Sequence, residues 1–248
     1  MRVRYNFAQQ KLKAPNRVIS KPSVVWMEQT KSIVDQAHAC IQSQKDVLGI
    51  LYRRGLPIAA VKEYKIGWVE EGRRLPGEQW GLDNETIWIP AGIMIPTIEK
   101  DQSIIRLKSR CKDWDPHSAS PKYVAITGSM SGLNIIGDKK HSVMLIVESE
   151  LDAYALQYAV KDIAVIVAIG GCSKDPDPLV DYLAKNKTVV LICHDNDDAG
   201  NAMLNKWQKL YPHARECPTP VGKDIGEAIE LGFDIRSWII SKLTPQAQ

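Results

Sequence analysis

The stretch that decides the fold is Cys193-His194-Asp195-Asn196-Asp197-Asp198-Ala199-Gly200, "CHDNDDAG", which follows the apolar run "TVVLI" from Thr188 to Ile192. A short apolar run bounded by polar and turn residues reads as a buried strand. The carboxylates directly after it read in two ways. Asp197 or Asp198 can cap the helix predicted over "DAGNAMLNKWQKLY". Equally, Asp195 and Asp197 stand at i and i+2 of an extended segment, point the same way, and can share a hard cation. On this stretch alone the two readings are even.

Working outward, the same rhythm recurs upstream. "SVMLIV" reads as a strand, "ELDAYALQYAV" as a helix, "IAVIVAIGG" as a strand and "DPLVDYLAKN" as a helix. Strands that are apolar throughout, alternating with amphipathic helices, predict a parallel sheet covered on both faces. In such sheets the working groups collect at the carboxyl ends of the strands. The first strand ends at Val147-Glu148-Ser149, with Asp152 one helical turn after Glu148. If the strands carrying Glu148 and Asp195 are neighbours, Glu148, Asp195 and Asp197 converge at one edge. A charge at the end of a buried strand is costly without a partner. Clustered carboxylates repel unless a divalent cation joins them, and oxygen-only ligands suit Mg²⁺ or Mn²⁺. Glu148 therefore tips the balance toward metal. His194 reads as packing at the strand end, pointing away from Asp195, and Cys193 reads as core.

The first half has a different texture. From Val24 to Leu51 the apolar positions Trp26, Ile33, Val34, Ala37, Cys40 and Ile41 recur at helical spacing, and "YRRGLP" (Tyr52 to Pro57) breaks that helix. "ETIWIP", "GIMIPTI", "SIIRLKS" and "KYVAIT" follow as short strands, making a mixed α+β half. Arg106, Lys108 and Arg110 alternate along one of them and so share a face. The expected organisation is a basic arm or linker over 1–23, a basic subdomain over 24–140 and a metal-binding α/β domain over 141–248.

Charge follows the same division. The 248 residues carry a net charge of +3, but residues 1–140 hold 22 Lys/Arg against 14 Asp/Glu, and residues 141–248 hold 10 against 15. A half at +8 joined to a half at −5 fits a protein that neutralises phosphates with one part and holds cations with the other. The plain alternative is uneven surface charge without a function. No apolar run is long enough to cross a bilayer, and "MRVRYNFAQQKLK" lacks the apolar middle of a secretion signal, so a cytoplasmic protein with no membrane partner is expected. The five cysteines form no C-x-x-C pair, which offers no zinc knuckle or ribbon and suggests reduced thiols.

"MLIVESELDAYAL", "VVLICHDNDDAGNAM" and "PVGKDIGEAI" together resemble the TOPRIM fold of bacterial-type primases, type IA and II topoisomerases, and some nucleases and recombination proteins. Its marks are a Glu after the first strand, an Asp-x-Asp after a later strand and often a further acidic pair; order and spacing match from about His141 to about Glu230. "YRRGLPIAAVKEYKIGW", "IWIPAGIMIPTI", "SIIRLKSR" and "PKYVAITGS" resemble the part of bacterial and phage primases that precedes their TOPRIM unit. The resemblance implies a primase-type RNA polymerase core that makes short primers on a single-stranded DNA template from nucleoside triphosphates, with a replicative helicase as a candidate partner. It implies Glu148, Asp195 and Asp197 as catalytic, these three with Asp152 and Asp224 as ligands of Mg²⁺ or Mn²⁺, and Arg110, Lys122, Arg106, Lys108 and Lys223 as template- or nucleotide-binding. Three features depart from the pattern. Ser149 stands where Gly is usual, Gly226-Glu227 where Asn or Asp is commoner, and no zinc-binding module accompanies the core. A TOPRIM nuclease and a non-catalytic nucleic-acid-binding or replisome module are the competing readings.

Overall fold

The computed structural model describes residues 20–243 except 84, 116, 118, 119, 172 and 173. The arm expected over 1–23 therefore lies almost wholly outside the described residues, as does Cys172. Helices α1 (Val24–Ile41), α2 (Lys45–Arg53) and α3 (Ile58–Glu63) lead into strands β1 (Gly67–Val69), β2 (Arg73–Pro76), β3 (Thr86–Ile89), β4 (Gly92–Ile98), β5 (Ile104–Cys111) and β6 (Tyr123–Ala125). Then come β7 (Asn134–Ile136), β8 (Val143–Val147), α4 (Glu150–Val160), β9 (Ala164–Ala168), α5 (Pro178–Asn186), β10 (Val189–Ile192), α6 (Asp198–Leu210), β11 (Arg215–Glu216), α7 (Ile225–Glu230) and α8 (Ile235–Leu243). The single helix expected over 24–51 is two, because the polar run Gln42-Ser43-Gln44 turns the chain between α1 and α2.

Strands β1, β4, β5 and β6 form an antiparallel sheet in the order β1-β4-β5-β6, while β2 and β3 pair as a separate hairpin. The second sheet runs β11-β10-β8-β9-β7. Its first four strands are parallel, and β7 closes the edge antiparallel to β9. The alternation of strand side chains divides its core in two. Val143, Leu145, Val147, Ile166 and Leu191 face one side with α4, α7 and α8. Met144, Ile146, Val165, Val167, Val190 and Ile192 face the other with α5 and α6. Strands β8, β9 and β10 are thus apolar at every position because both of their faces are covered.

The chain enters the sheet at the edge strand β7, crosses to the central strand β8, passes through α4 to β9 between them, then crosses to β10 and β11 on the other side. Because α4 and α6 lie on opposite faces, the connections leaving β8 and β10 diverge, and a crevice opens beyond the carboxyl ends of these two strands. The first half supplies one wall of it. Alternation along β4 sends Met94 into a third core under α1, with Trp26, Ile33 and Val34, and sends Ile93 and Ile95 into the core shared with α4. The Tyr154 hydroxyl donates to Pro96 O at 2.5 Å across that junction.

Candidate functional site

Glu148 directly follows β8, and Asp195 comes three residues after the end of β10. The two strands are neighbours in parallel register, with Ile146 opposite Ile192, so both carboxylates reach the crevice. They line a cleft of about 250 Å³ together with Asp152, Asp224, Arg54, Arg110 and Lys122. Helix ends deliver the other acids. Ser149 caps α4, accepting from Asp152 N, and this sets Asp152 in the first turn. Asp224 caps α7, accepting from Glu227 N at 2.7 Å.

The four carboxylates are not equivalent. Among the described residues, neither Glu148 nor Asp195 accepts a hydrogen bond or forms an ion pair through its side chain. Burial, with Asp152, Glu148, Asp224 and Asp197 around it, pushes the Asp195 carboxyl up to about 7. Asp152 is also raised, by burial and then by Asp224. Burial acts most strongly on Asp224 and in the same sense, but the Arg54 bond and charge, the Glu227 N–H and Lys122 together outweigh it and hold the group below the usual range. Distance accounts for the contrast. Arg54 Nη2 is 2.7 Å from Asp224 Oδ1 and 3.6 Å from Asp152 Oδ1, so Asp224 takes the hydrogen bond.

Asp197 lies apart from this group. It is the N-cap of α6, accepting from Gly200 N at 2.8 Å, and its other oxygen meets Lys223 Nζ at 3.0 Å. The Gly200 N–H and then Lys223 hold its carboxyl below the usual range. At Asp197 the chain turns into α6, and Asp197 and Lys223 are not among the residues lining the cleft, although the Asp197 charge still acts on Asp195. His194 is buried at the strand end, with Nε2 3.2 Å from Glu216 Oε1.

The three basic residues of β5 share a face, yet they meet different neighbours. Arg106 is 4% exposed and donates to the carbonyls of Met130, Ser131, Gly132 and Leu133, which removes it from any phosphate. Lys108 is buried against Glu150 in an ion pair. Gly170, at φ +64°, lets that pair fit, since a side chain there would strike the Lys108 ammonium. Arg110, at the strand's end, is half-buried and lines the cleft. Lys122 sits at the rim over the Trp114 ring, its ammonium 5.3 Å from the centroid. Burial and the nearby Arg110 and Arg54 lower its pKa, which marks a spot where positive charge is crowded and an anion is welcome.

Sequence reasoning missed Arg54 and the Glu150–Lys108 pair. In "YRRGLP" the helix break and the family resemblance were legible but the pairing of Arg54 was not, because the partner Asp224 lies 170 residues away.

The donor set can be tested against a divalent ion on this geometry. Among the described residues no three His, Cys, Asp or Glu side chains converge closely enough to ligate one ion. Two oxygen donors without partners, Glu148 and Asp195, nevertheless face one cleft beside two cationic side chains. Mg²⁺ is commonly held by one or two carboxylates, with water and substrate phosphates completing its shell. The residues fit that arrangement.

The fold and cleft together define an α/β protein with an acidic cleft at the carboxyl edge of a mostly parallel sheet. Residues 145–229 match the family described as Toprim-like, within the span over which the sequence motifs align. No curated protein matches the chain by sequence. Among solved structures, about nine-tenths of the chain has the fold seen in bacterial primase catalytic cores. A DNA primase domain from Pseudomonas aeruginosa superposes with a TM-score of 0.67 at 17% identity, covering 90% of this chain and 79% of that one. The zinc-binding and RNA polymerase domains of Aquifex aeolicus primase give 0.65 at 17%, covering 88% and 60%. A DnaG primase catalytic domain bound to single-stranded DNA gives 0.58 at 17%, covering 90% and 86%. The chain thus spans about three-fifths of the Aquifex protein's resolved length. No helix among the described residues is long and apolar enough to cross a membrane.

Proposed function

We propose that this chain is the catalytic core of a primase-type nucleotidyltransferase, which extends short primers on single-stranded DNA from nucleoside triphosphates. One observation carries the reading. At the switch point of a TOPRIM-like sheet, Glu148 and Asp195, carboxylates without a side-chain partner among the described residues, share a cleft with the cationic Arg110 and Lys122. Acids alone would repel a triphosphate, and bases alone would not recruit a cation. The likeness to a primase domain that binds single-stranded DNA supports the choice of substrate.

Glu148 and Asp195 would hold Mg²⁺ or Mn²⁺, with Asp152 and Asp224 adding negative field from behind. Bound there, the ion would neutralise the triphosphate and stabilise pyrophosphate as it leaves. The chain's own residues position the reactants. Arg110 presents a planar donor fork to a phosphate, and Lys122 a point charge at the rim. The Lys108–Glu150 pair is neutral as a unit and forms the floor of the cleft without repelling either substrate. The template would track the basic half, where phosphate contacts position a strand without reading it.

The test is direct. Labelled nucleoside triphosphates, single-stranded template and Mg²⁺ or Mn²⁺ are incubated with the chain, and products are resolved by length. Growth of short oligomers supports the reading. Shortening of the template would replace it with a metal-dependent nuclease, and a mobility shift without either product would replace it with a binding module.

A further inference from the structure

Arg54, like Lys108 and unlike Arg110 and Lys122, is engaged with carboxylates. Its guanidinium bonds Asp224 at 2.7 Å and lies 3.6 Å from Asp152, and its side chain is 24% exposed. Three of the four carboxylate oxygens on that pair accept hydrogen bonds. Asp152 Oδ1 accepts from Gly226 N at 3.1 Å, and Oδ2 from Ser149 Oγ at 2.6 Å. Asp224 Oδ1 accepts from both Arg54 and Glu227 N. Apart from Glu150, which Lys108 pairs, the acids of the cleft therefore divide into a pair that shares the protein's own cation, Asp152 and Asp224, and a pair, Glu148 and Asp195, that has none.

The arrangement is built in. Arg54 is the C-cap of α2, with its N–H bonded to Ile50 O, and its neighbour Arg53 is fastened to Glu230 of α7 at 2.9 Å. Gly226 leaves the space that the guanidinium fills, because a Cβ there would fall on the Arg54 side chain. This is one of the positions at which the chain departs from the resembled pattern. A guanidinium and a divalent ion on the same two carboxylates repel each other, which disfavours a second ion there while Arg54 is in place.

We infer that Arg54 is the resident counter-cation of the Asp152–Asp224 pair, so that the cleft takes up one divalent ion, at Glu148 and Asp195. A second ion enters only when the guanidinium is removed or pushed aside. The inference rests on the metal-binding reading of the cleft.

Mn²⁺ is the probe, titrated without nucleotide into the full chain, with free ion read by electron paramagnetic resonance. The wild type should bind one equivalent. Arg54→Met should bind two, and Arg54→Lys, which keeps the charge, should bind one. Because Arg54→Met leaves two buried acids facing each other, its melting temperature should be lower without ion and rise more than that of the wild type on adding Mn²⁺. Gly226→Asn, which pushes the guanidinium out while keeping the arginine, is the independent variant and should also bind two equivalents. One equivalent in the wild type and in both Arg54→Met and Gly226→Asn would overturn the inference and leave the metal reading intact, as would two in the wild type. No Mn²⁺ binding by the wild type would overturn the metal reading itself.

Discussion

Replacing Asp195 by Asn should stabilise the ion-free protein at pH 8 and leave it unchanged at pH 4. The Asp195 carboxyl titrates near 7 in the folded chain, against 3.8 when it is unperturbed. Roughly three pH units at about 1.4 kcal/mol each amount to about 4 kcal/mol. Asp195 is only half-buried, and water screening reduces the figure to about 2 kcal/mol. The sign follows from which state holds the proton longer. Here it is the folded state, so the contribution of the protonated carboxyl is complete below pH 3.8 and is lost as the pH rises through about 7. Asn is neutral at every pH and keeps that contribution. Urea unfolding in chelator across a pH series should therefore show a gap that opens between pH 4 and pH 8. Saturating Mg²⁺ should narrow it from the wild-type side, because the ion binds only the folded protein and compensates the Asp195 charge. Parallel pH profiles, or an Asn variant weaker at pH 8, would refute the reasoning.

Asp197→Asn should behave in the opposite sense, although it lies two residues away. Its carboxyl is held below the usual range, so its contribution is present above pH 3.8 and lost as the pH falls through the lowered value. Asn still caps α6, which confines the loss at pH 7 to less than about 1 kcal/mol, vanishing in acid in the same urea series. Lys108→Met should cost about 3–5 kcal/mol by stranding Glu150 in the core, and adding Glu150→Leu should recover most of it. An equal cost in the single and double variants would show that the ion pair is not the source. For single-stranded DNA, Arg110→Ala and Lys122→Ala should each lower the log–log salt slope of binding by about 0.7. Arg106→Ala should leave that slope alone and lower stability instead; anisotropy titrations at several salt concentrations separate the two.

The second sheet was legible because its strands are buried on both faces and say so residue by residue. "SVMLIV", "IAVIVAIGG" and "TVVLIC" mark β8, β9 and β10, and the amphipathic runs between them mark α4 and α5. Strand order was not legible. Nothing local in "NII" predicts that β7 pairs antiparallel with β9 at the sheet's edge, since three residues carry no periodicity. The same holds for β11, two residues long, whose place is set by its register with Leu191 and Ile192.

At the site, the sequence shows where charges collect but not which of them are already neutralised. Glu148 and Asp195 could be read because each ends a recognisable strand. Arg54 could not, because its partners approach only when α2 docks against α4 and α7. The face shared by Arg106, Lys108 and Arg110 makes the same point along a single strand. Alternation aligned the three correctly, but it could not say what packs over β5. The loop over 130–133 covers Arg106, α4 brings Glu150 to Lys108, and only Arg110 clears both. The net of +8 over residues 1–140 therefore overstates the charge available to phosphates, since Arg54, Arg106 and Lys108 all belong to it. A salt slope read from DNA binding should count the cations left open by the fold, and it should fall short of the number the composition suggests.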